Sequence, residues 1–372
     1  MKIAVDLRSL SSGTISGVEN YTLNLLDSLL RLDKVNQYTF FYNAWAGPAL
    51  GDFHFVNSTV KNTKLPNKVV NLALKFNLLS LEKLAGGFDC LFMPNLNQFN
   101  LQPSAKLVLT VHDLSPIVTP EFYDTKRRLW HKFLNYKQAF QRADALLAVS
   151  EYTKSDLVRI FNIPPEKVKV VYPGIDHKIF TPTVDQAQLR LVRNLYGLPG
   201  EFILFLNTIE PRKNLANLIK AFERLDSPVH LVVAGRLGWK YKAAFNLIKK
   251  SKKFAKIKYI GYVEEKHKPA LIKLAKALVY PSFYEGFGFQ PLEAMSIGTP
   301  VLASSVSSVP EVVGNAGLLA NPYSIDELRQ ALGDILADNK LRENLAQKAL
   351  LKAADFNWEK TAAEILQIFN SI

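Results

Sequence analysis

Glu285 and Glu293 are separated by seven residues, the stretch GFGFQPL. Ser282, Tyr284 and Gly286 surround the start of a loop, where Gly286 and Gly288 let the backbone turn sharply and approach a ligand. From Gln290 onward the pattern reads as a helix: Pro291 fits a first turn, and Gly298 stands where a helix would stop. The spacing therefore puts Glu285 on the loop and Glu293 within the helix. Carboxylates accept hydrogen bonds from hydroxyls, and free N–H groups at a helix start face negative charge. Such a site suits a ligand rich in hydroxyls at one end and anionic at the other. Taken alone, the same spacing also describes a loop charge and a solvated helix residue.

Two further groups point the same way. Arg212 and Lys213 fall in NTIEPRKN, at the start of a helix expected over 215–225. A guanidinium offers a planar fork, an ammonium a mobile point charge, and the helix terminus adds N–H donors, which together suit a diphosphate. His112 ends the strand-like run 106–111, with Asp113 beside it to orient or charge the imidazole. On its own such a histidine reads most simply as a satisfied structural residue.

The elements that must position these groups alternate between strand and helix. Strands are expected at 2–6, 38–42, 89–93, 106–111, 145–149 and 168–171, then at 202–206, 230–234, 258–260, 278–280 and 299–303. Helices are expected at 18–32, 65–84, 126–142, 151–161 with Ser150 as its cap, 215–225, 326–354 and 358–369. Gly17 closes a Ser/Gly/Thr-rich loop over 8–16 that leads into a helix, a geometry that also serves a tight turn. Residues 181–200 read as a linker. The whole describes two doubly wound α/β domains, in which ligands sit outside the carboxyl ends of the strands.

Composition bounds the partners. The chain has 372 residues, 48% of them apolar and 21% charged, which fits a globular protein of two domains. Neither a cleavable signal nor an apolar run long enough to cross a bilayer is visible, and the single Cys90 reads as a buried residue in a reducing compartment, so a cytoplasmic protein is expected. The net charge is +13, and residues 240–276 hold twelve lysines against Glu264 and Glu265 alone. That run is either a solvated face or a contact for an anionic lipid surface or phosphate. The basic-aromatic stretch 126–142 is read either as a lipid or phosphate contact or as an ordinary packed helix, and for 65–84 packing is the preferred reading. Nucleic acid is not expected, because no recognition module accompanies the lysines.

The sequence EGFGFQPLEAMSIGTPVLASSVSSVPEVVGNAGLL resembles the signature of retaining GT-B glycosyltransferases of family four, which use nucleotide-sugar donors. The resemblance continues in Glu210-Pro211-Arg212-Lys213-Asn214 and Val111-His112-Asp113. It reaches the ends of the chain through Ser16-Gly17-Val18 and Phe356-Asn357-Trp358. It implies a GT-B fold of two Rossmann-like domains facing a cleft: 1–178, onto which a helix at 356–372 packs back, and 179–355, which binds the donor. It also implies that His112 lies under the donor sugar and that Gly17 faces the cleft. Arg212 and Lys213 would then take the diphosphate, and Glu285 with the backbone of Gly286, Phe287, Gly288 and Phe289 the sugar hydroxyls. Glu293 would hold the ribose beside Leu292, and Tyr262 and Val263 the base. The family usually has glycine where this chain has Asn207.

The resemblance further implies hexosyl transfer with retention and without a metal or other cofactor. No Asp-x-Asp or histidine cluster is present to hold a metal. GDP-mannose is the favoured donor and a UDP-hexose the alternative. The acceptor expected is a glycan or lipid-linked oligosaccharide in polysaccharide biosynthesis, with peripheral contact at the inner face of an anionic cytoplasmic membrane. A phosphorylase or epimerase, or a silent glycan-binding partner, are the competing readings.

Overall fold

The computed structural model describes residues 1–12, 17–43 and 55–372. Of the loop expected over 8–16, residues 13–16, Ser16 among them, lie outside the described residues, while Arg8–Ser12 form a short 3-10 helix. The chain divides into two units. The first comprises Met1–Leu114, Lys126–Gly174 and Trp358–Ile372, and the second Ser115–Thr125 and Ile175–Asn357. The division thus falls at Gly174, where the sequence reading placed it after 178, and residues 115–125 group with the second unit. The reason lies in local packing. Trp239 Nε1 donates to the Phe122 carbonyl at 2.6 Å, Tyr123 stacks on Trp239, and Phe122 stacks on Phe283.

Along the chain the elements run β1 (Lys2–Asp6), α1 (Gly17–Leu32), β2 (Gln37–Tyr42), β3 (Ser58–Asn62), α2 (Asn67–Lys75), α3 (Leu81–Ala85), β4 (Cys90–Met93) and β5 (Lys106–Val111). Then come α4 (Ser115–Val118), α5 (Thr125–Phe133), α6 (Tyr136–Arg142), β6 (Ala145–Ala148), α7 (Glu151–Phe161) and β7 (Val168–Val170). In the second half α8 (Gln186–Leu195), β8 (Phe202–Leu206), α9 (Leu215–Glu223), β9 (His230–Ala234), α10 (Lys242–Lys250) and β10 (Ile257–Gly261) follow. The chain continues through α11 (Lys268–Leu274), β11 (Ala277–Tyr280), α12 (Phe289–Ile297), β12 (Val301–Ser304), α13 (Val309–Val313) and β13 (Leu318–Ala320). It ends with α14 (Ile325–Ala337), α15 (Asn339–Ala353) and α16 (Trp358–Ser371).

Each unit is built on an all-parallel sheet. Among the described residues the first has seven strands in the order β3-β2-β1-β4-β5-β6-β7, and the second six in the order β10-β9-β8-β11-β12-β13. Strands such as FILFL and CLFM are buried along their whole length, as helices on both faces require. Strand order reverses at β1/β4 in one sheet and at β8/β11 in the other, and loops leaving such a switch point form the natural ligand crevice. α16 lies in the first unit, its Trp358 edge-on to Tyr21 and its Phe369 against Phe92.

Several helices break where apolar periodicity alone runs on. Within 126–142 the chain stops at Asn135, whose left-handed φ of 47° separates α5 from α6. Within 65–84 Asn77, at φ 58°, plays the same part between α2 and α3. The expected 326–354 helix divides at Asp338, whose carboxylate caps α15 by accepting from the Leu341 amide. The expected linker 181–200 contains α8, capped by Asp185.

Candidate functional site

The site in the second unit is made by loops leaving five neighbouring strands, β10, β9, β8, β11 and β12. β8 ends in the loop that holds Arg212 and Lys213, and the adjacent β11 ends in the loop that holds Glu285. Because the two strands run parallel, both loops emerge on one edge of the sheet. Asn214, at φ 59°, turns the first loop into α9, and its side-chain amide donates to the carbonyls of Pro281 and Pro322 at 2.9 and 2.8 Å. The Phe283 amide donates to the Arg212 carbonyl. The second loop is fixed from its other side. Ser307 Oγ accepts from the Glu285 amide, and Ser308 Oγ donates to the carbonyls of Glu285 and Phe287.

Gly288, at φ 122°, makes the turn into α12, and Gly298 ends that helix in the left-handed conformation. Gly286, which sequence reasoning credited with the same freedom, is not among the positive-φ glycines. Leu292 is fully buried and its amide already bonds to the Gly288 carbonyl, so it serves the loop's packing and offers a ligand no free amide. Phe287 and Phe289 meet edge to face, and Phe287 also packs on Phe356.

The charged residues form one cluster. Arg212 Nη1 lies 2.9 Å from Glu285 Oε2 and donates to the Tyr284 carbonyl at 2.7 Å, while Nη2 lies 3.0 Å from Glu210 Oε1. Lys213 Nζ meets the other Glu285 oxygen at 2.6 Å. Burial alone would raise the Glu285 carboxyl; the Arg212 and Lys213 charges override it and hold it down at about 2. Glu285 therefore braces the two cations, a pairing that the sequence alone does not show. Glu210, Asn214, Ser307 and Ser308 went unassigned in that reading, although the first two sit in the EPRKN motif itself.

Glu293 is the opposite case. It is buried in α12, and its Oε2 has no hydrogen-bond partner among the described residues. Burial raises its carboxyl to about 7, with the Lys268 charge opposing and Glu265 adding to the rise. Lys268, on α11, is itself held by Glu265 at 2.7 Å. A buried carboxylate oxygen without a donor is positioned to receive one from a ligand.

At the ends of β9 and β10 the Arg236 guanidinium lies 4.3 Å from the ring centroid of Tyr262, which is exposed, while Val263 is buried. Gly235 bonds through its amide to the Gly261 carbonyl, and a Cβ there would drive into the Asn207 carbonyl oxygen. Asn207 thus packs backbone to backbone against a glycine on the neighbouring strand, and its own side-chain amide is buried without a partner among the described residues.

His112 and Gly17 belong to the first unit, apart from this cluster in the chain's division. His112 Nε2 donates to the Pro94 carbonyl at 2.8 Å, and Tyr21 meets the ring edge-on at 4.7 Å. A carbonyl only accepts, so the proton is on Nε2 and Nδ1 is left as an acceptor. Burial lowers the imidazole below its ordinary value, with the Pro94 bond and the Asp113 charge pulling the other way. Gly17 is the exposed first residue of α1.

Comparison with known proteins agrees with this architecture. A family model described as glycosyl transferases group 1 matches residues 196–352, and one described as glycosyltransferase family 4 matches 15–179. The chain is 32% identical over 269 residues to the O-antigen chain mannosyltransferase B of Escherichia coli, covering 71% of this chain and 70% of that protein. It is 29% identical over 275 residues to the serotype-specific mannosyltransferase WbdA of Escherichia coli, covering 72% of this chain but only 34% of that one. Among solved structures, Anabaena Alr3699/HepE in complex with UDP and glucose superposes with a TM-score of 0.75 at 20% identity, covering 100% of both chains. The fold is GT-B.

Proposed function

Since the chain belongs to the group 1 glycosyltransferases, we propose that it moves a hexose, mannose from GDP-mannose, onto a glycan or lipid-linked oligosaccharide acceptor with retention of anomeric configuration. The observation that carries this reading is the Arg212–Lys213–Glu285 cluster at the β8/β11 switch point. The donor's diphosphate sits against Arg212 and Lys213, its ribose hydroxyls donate to Glu293, and its base rests near Tyr262 and Val263. The sugar hydroxyls face Glu285 and the backbone of 286–289.

In the transfer the bond from the anomeric carbon to the phosphate oxygen breaks, and the acceptor oxygen bonds to that carbon from the same face. The acceptor's proton passes to the departing phosphate oxygen, so no general base is required. Negative charge grows on the diphosphate as the bond breaks, and preorganised cations lower the barrier by stabilising it. With that charge met by Arg212 and Lys213, the reaction runs without a divalent metal or other cofactor. The protein works at the inner face of the cytoplasmic membrane, in peripheral contact with it. The two mannosyltransferase relatives support mannose as the sugar.

Calorimetric titration with GDP, UDP, GDP-mannose and UDP-glucose, with and without magnesium, tests this. Binding of GDP and GDP-mannose without magnesium, weakened in Arg212→Ala and Glu293→Ala, is the expected result. Preference for UDP would replace the donor, a requirement for magnesium would overturn metal independence, and no nucleotide binding would overturn the site.

A further inference from the structure

The stretch that dominates the chain's positive charge is largely tied down. Of the twelve lysines over 240–276, eight engage carbonyls or carboxylates within the second unit: Lys240, Lys253, Lys256, Lys258, Lys266, Lys268, Lys273 and Lys276. The first unit presents a different surface. α2 buries Val70 and Leu74, but Val69, Leu72 and Phe76 recur at helical spacing along its solvent side. α5 is a nine-residue helix with no buried residue at all. Short helices are marginal in water without tertiary packing, and among the described residues α5 sinks none of its side chains fully into the unit.

The two helices form one face. Lys75 of α2 donates to the Phe133 carbonyl at 2.8 Å, with its ammonium 3.7 Å from the Phe133 ring centroid, and Trp130 stacks on Phe133 at 5.5 Å. Val69, Leu72, Phe76, Leu78, Leu129 and Trp130 are between 43% and 78% exposed, too much apolar surface in one place to be incidental. Residues 61–81 and 125–142 together carry ten lysines and arginines and no aspartate or glutamate. A polyanion in water would satisfy the charges but leave the leucines and aromatics wet. A second copy of the chain would set basic face against basic face. An anionic bilayer satisfies both, because apolar side chains enter the acyl boundary while lysines and arginines stay at the headgroups.

We propose that the α2–α5 face docks the first unit onto an anionic lipid bilayer, and that the lysine run over 240–276 does not. This deepens the membrane part of the proposed function. It is read by binding and not by turnover, so failure of the donor assignment leaves it standing.

The test is co-sedimentation of the full chain with phosphatidylcholine vesicles, with and without phosphatidylglycerol. Parent protein is compared with Leu129→Ser/Trp130→Ser, with Lys126→Glu/Arg128→Glu and with the control Lys249→Glu/Lys250→Glu. The expected result is salt-sensitive binding to the anionic vesicles alone, weakened about fivefold or more for each basic residue lost from α5 and unchanged in the control. Quenching of Trp130 by brominated lipid in the parent, read against Trp130→Phe, gives a second measure should a double variant unfold. Absence of anionic-vesicle binding, equal loss in the control, no quenching of Trp130, or a dimer that the Leu129→Ser/Trp130→Ser change dissociates would overturn the proposal.

Discussion

Glu285 and Glu293 are buried glutamates on one loop–helix unit, and their surroundings push them in opposite directions. Glu285 is held ionised between two cations, whereas Glu293 is desolvated with a charge only at a distance. Arg212 is the hinge of the first arrangement, since it touches Glu210, Glu285 and the Tyr284 carbonyl at once. Arg212→Ala is expected to lower kcat by 10²–10³-fold, about 2.7–4 kcal/mol of barrier, when steady-state transfer is assayed. Arg212→Lys keeps the charge but loses the fork and should recover only part of the rate. Glu285→Gln leaves two buried cations facing a neutral amide. Chemical denaturation should show a loss of about 3–5 kcal/mol, the usual consequence of removing one partner from a buried pair.

At the level of elements, the ends of β8 and β9 are held together by a backbone approach that only glycine allows. Gly235 sits at φ 135°, and any Cβ there meets the Asn207 carbonyl oxygen. Gly235→Ala is expected to cost roughly 3 kcal/mol from crowding and backbone strain together, measured as a shift of the denaturation midpoint. Because the obstructing atom is backbone, the second change Asn207→Gly should restore none of that loss. Full rescue by it would show that the crowding resides in the Asn207 side chain. The helix breaks at Asn77 and Asn135 have a similar local origin: asparagine adopts the left-handed conformation readily, so one residue ends a helix that the apolar pattern would prolong.

For the molecule as a whole, the two glutamates shape stability against pH with opposite signs. Glu285, folded near 2 and ordinarily 4.5, contributes stability that is complete above 4.5 and lost as pH falls toward 2. Glu293, raised from 4.5 to about 7, binds its proton more tightly folded than unfolded, so its contribution is lost as pH rises through that window. Glu293→Gln should therefore flatten the decline in unfolding free energy between pH 5 and pH 8, a difference on the order of 3 kcal/mol. Donor binding should move the other way. Hydroxyls donate to a carboxylate and not to its neutral acid with equal effect, so affinity for GDP should rise through pH 7 in the parent and stay flat in Glu293→Gln. An unchanged pH profile in that variant would remove Glu293 from the donor site.

The sequence by itself determined the fold class and the family, because both rest on local information. Continuous apolar strands such as Phe202–Leu206 and Cys90–Met93, the caps at Ser150 and Gly298, and the motif residues from Glu210 to Asn214 are all written in neighbouring positions. What only the tertiary structure decided concerns partners distant in the chain. That Glu285 pairs with residues more than seventy positions earlier follows from β8 and β11 being neighbours, which no local pattern states. The same holds for part of the lysine run, five of whose ammonium groups meet carbonyls brought close by folding. It holds for α2, whose apolar residues divide between a buried and an exposed side. Periodicity reports that a helix has an apolar side; only packing decides which side finds a partner.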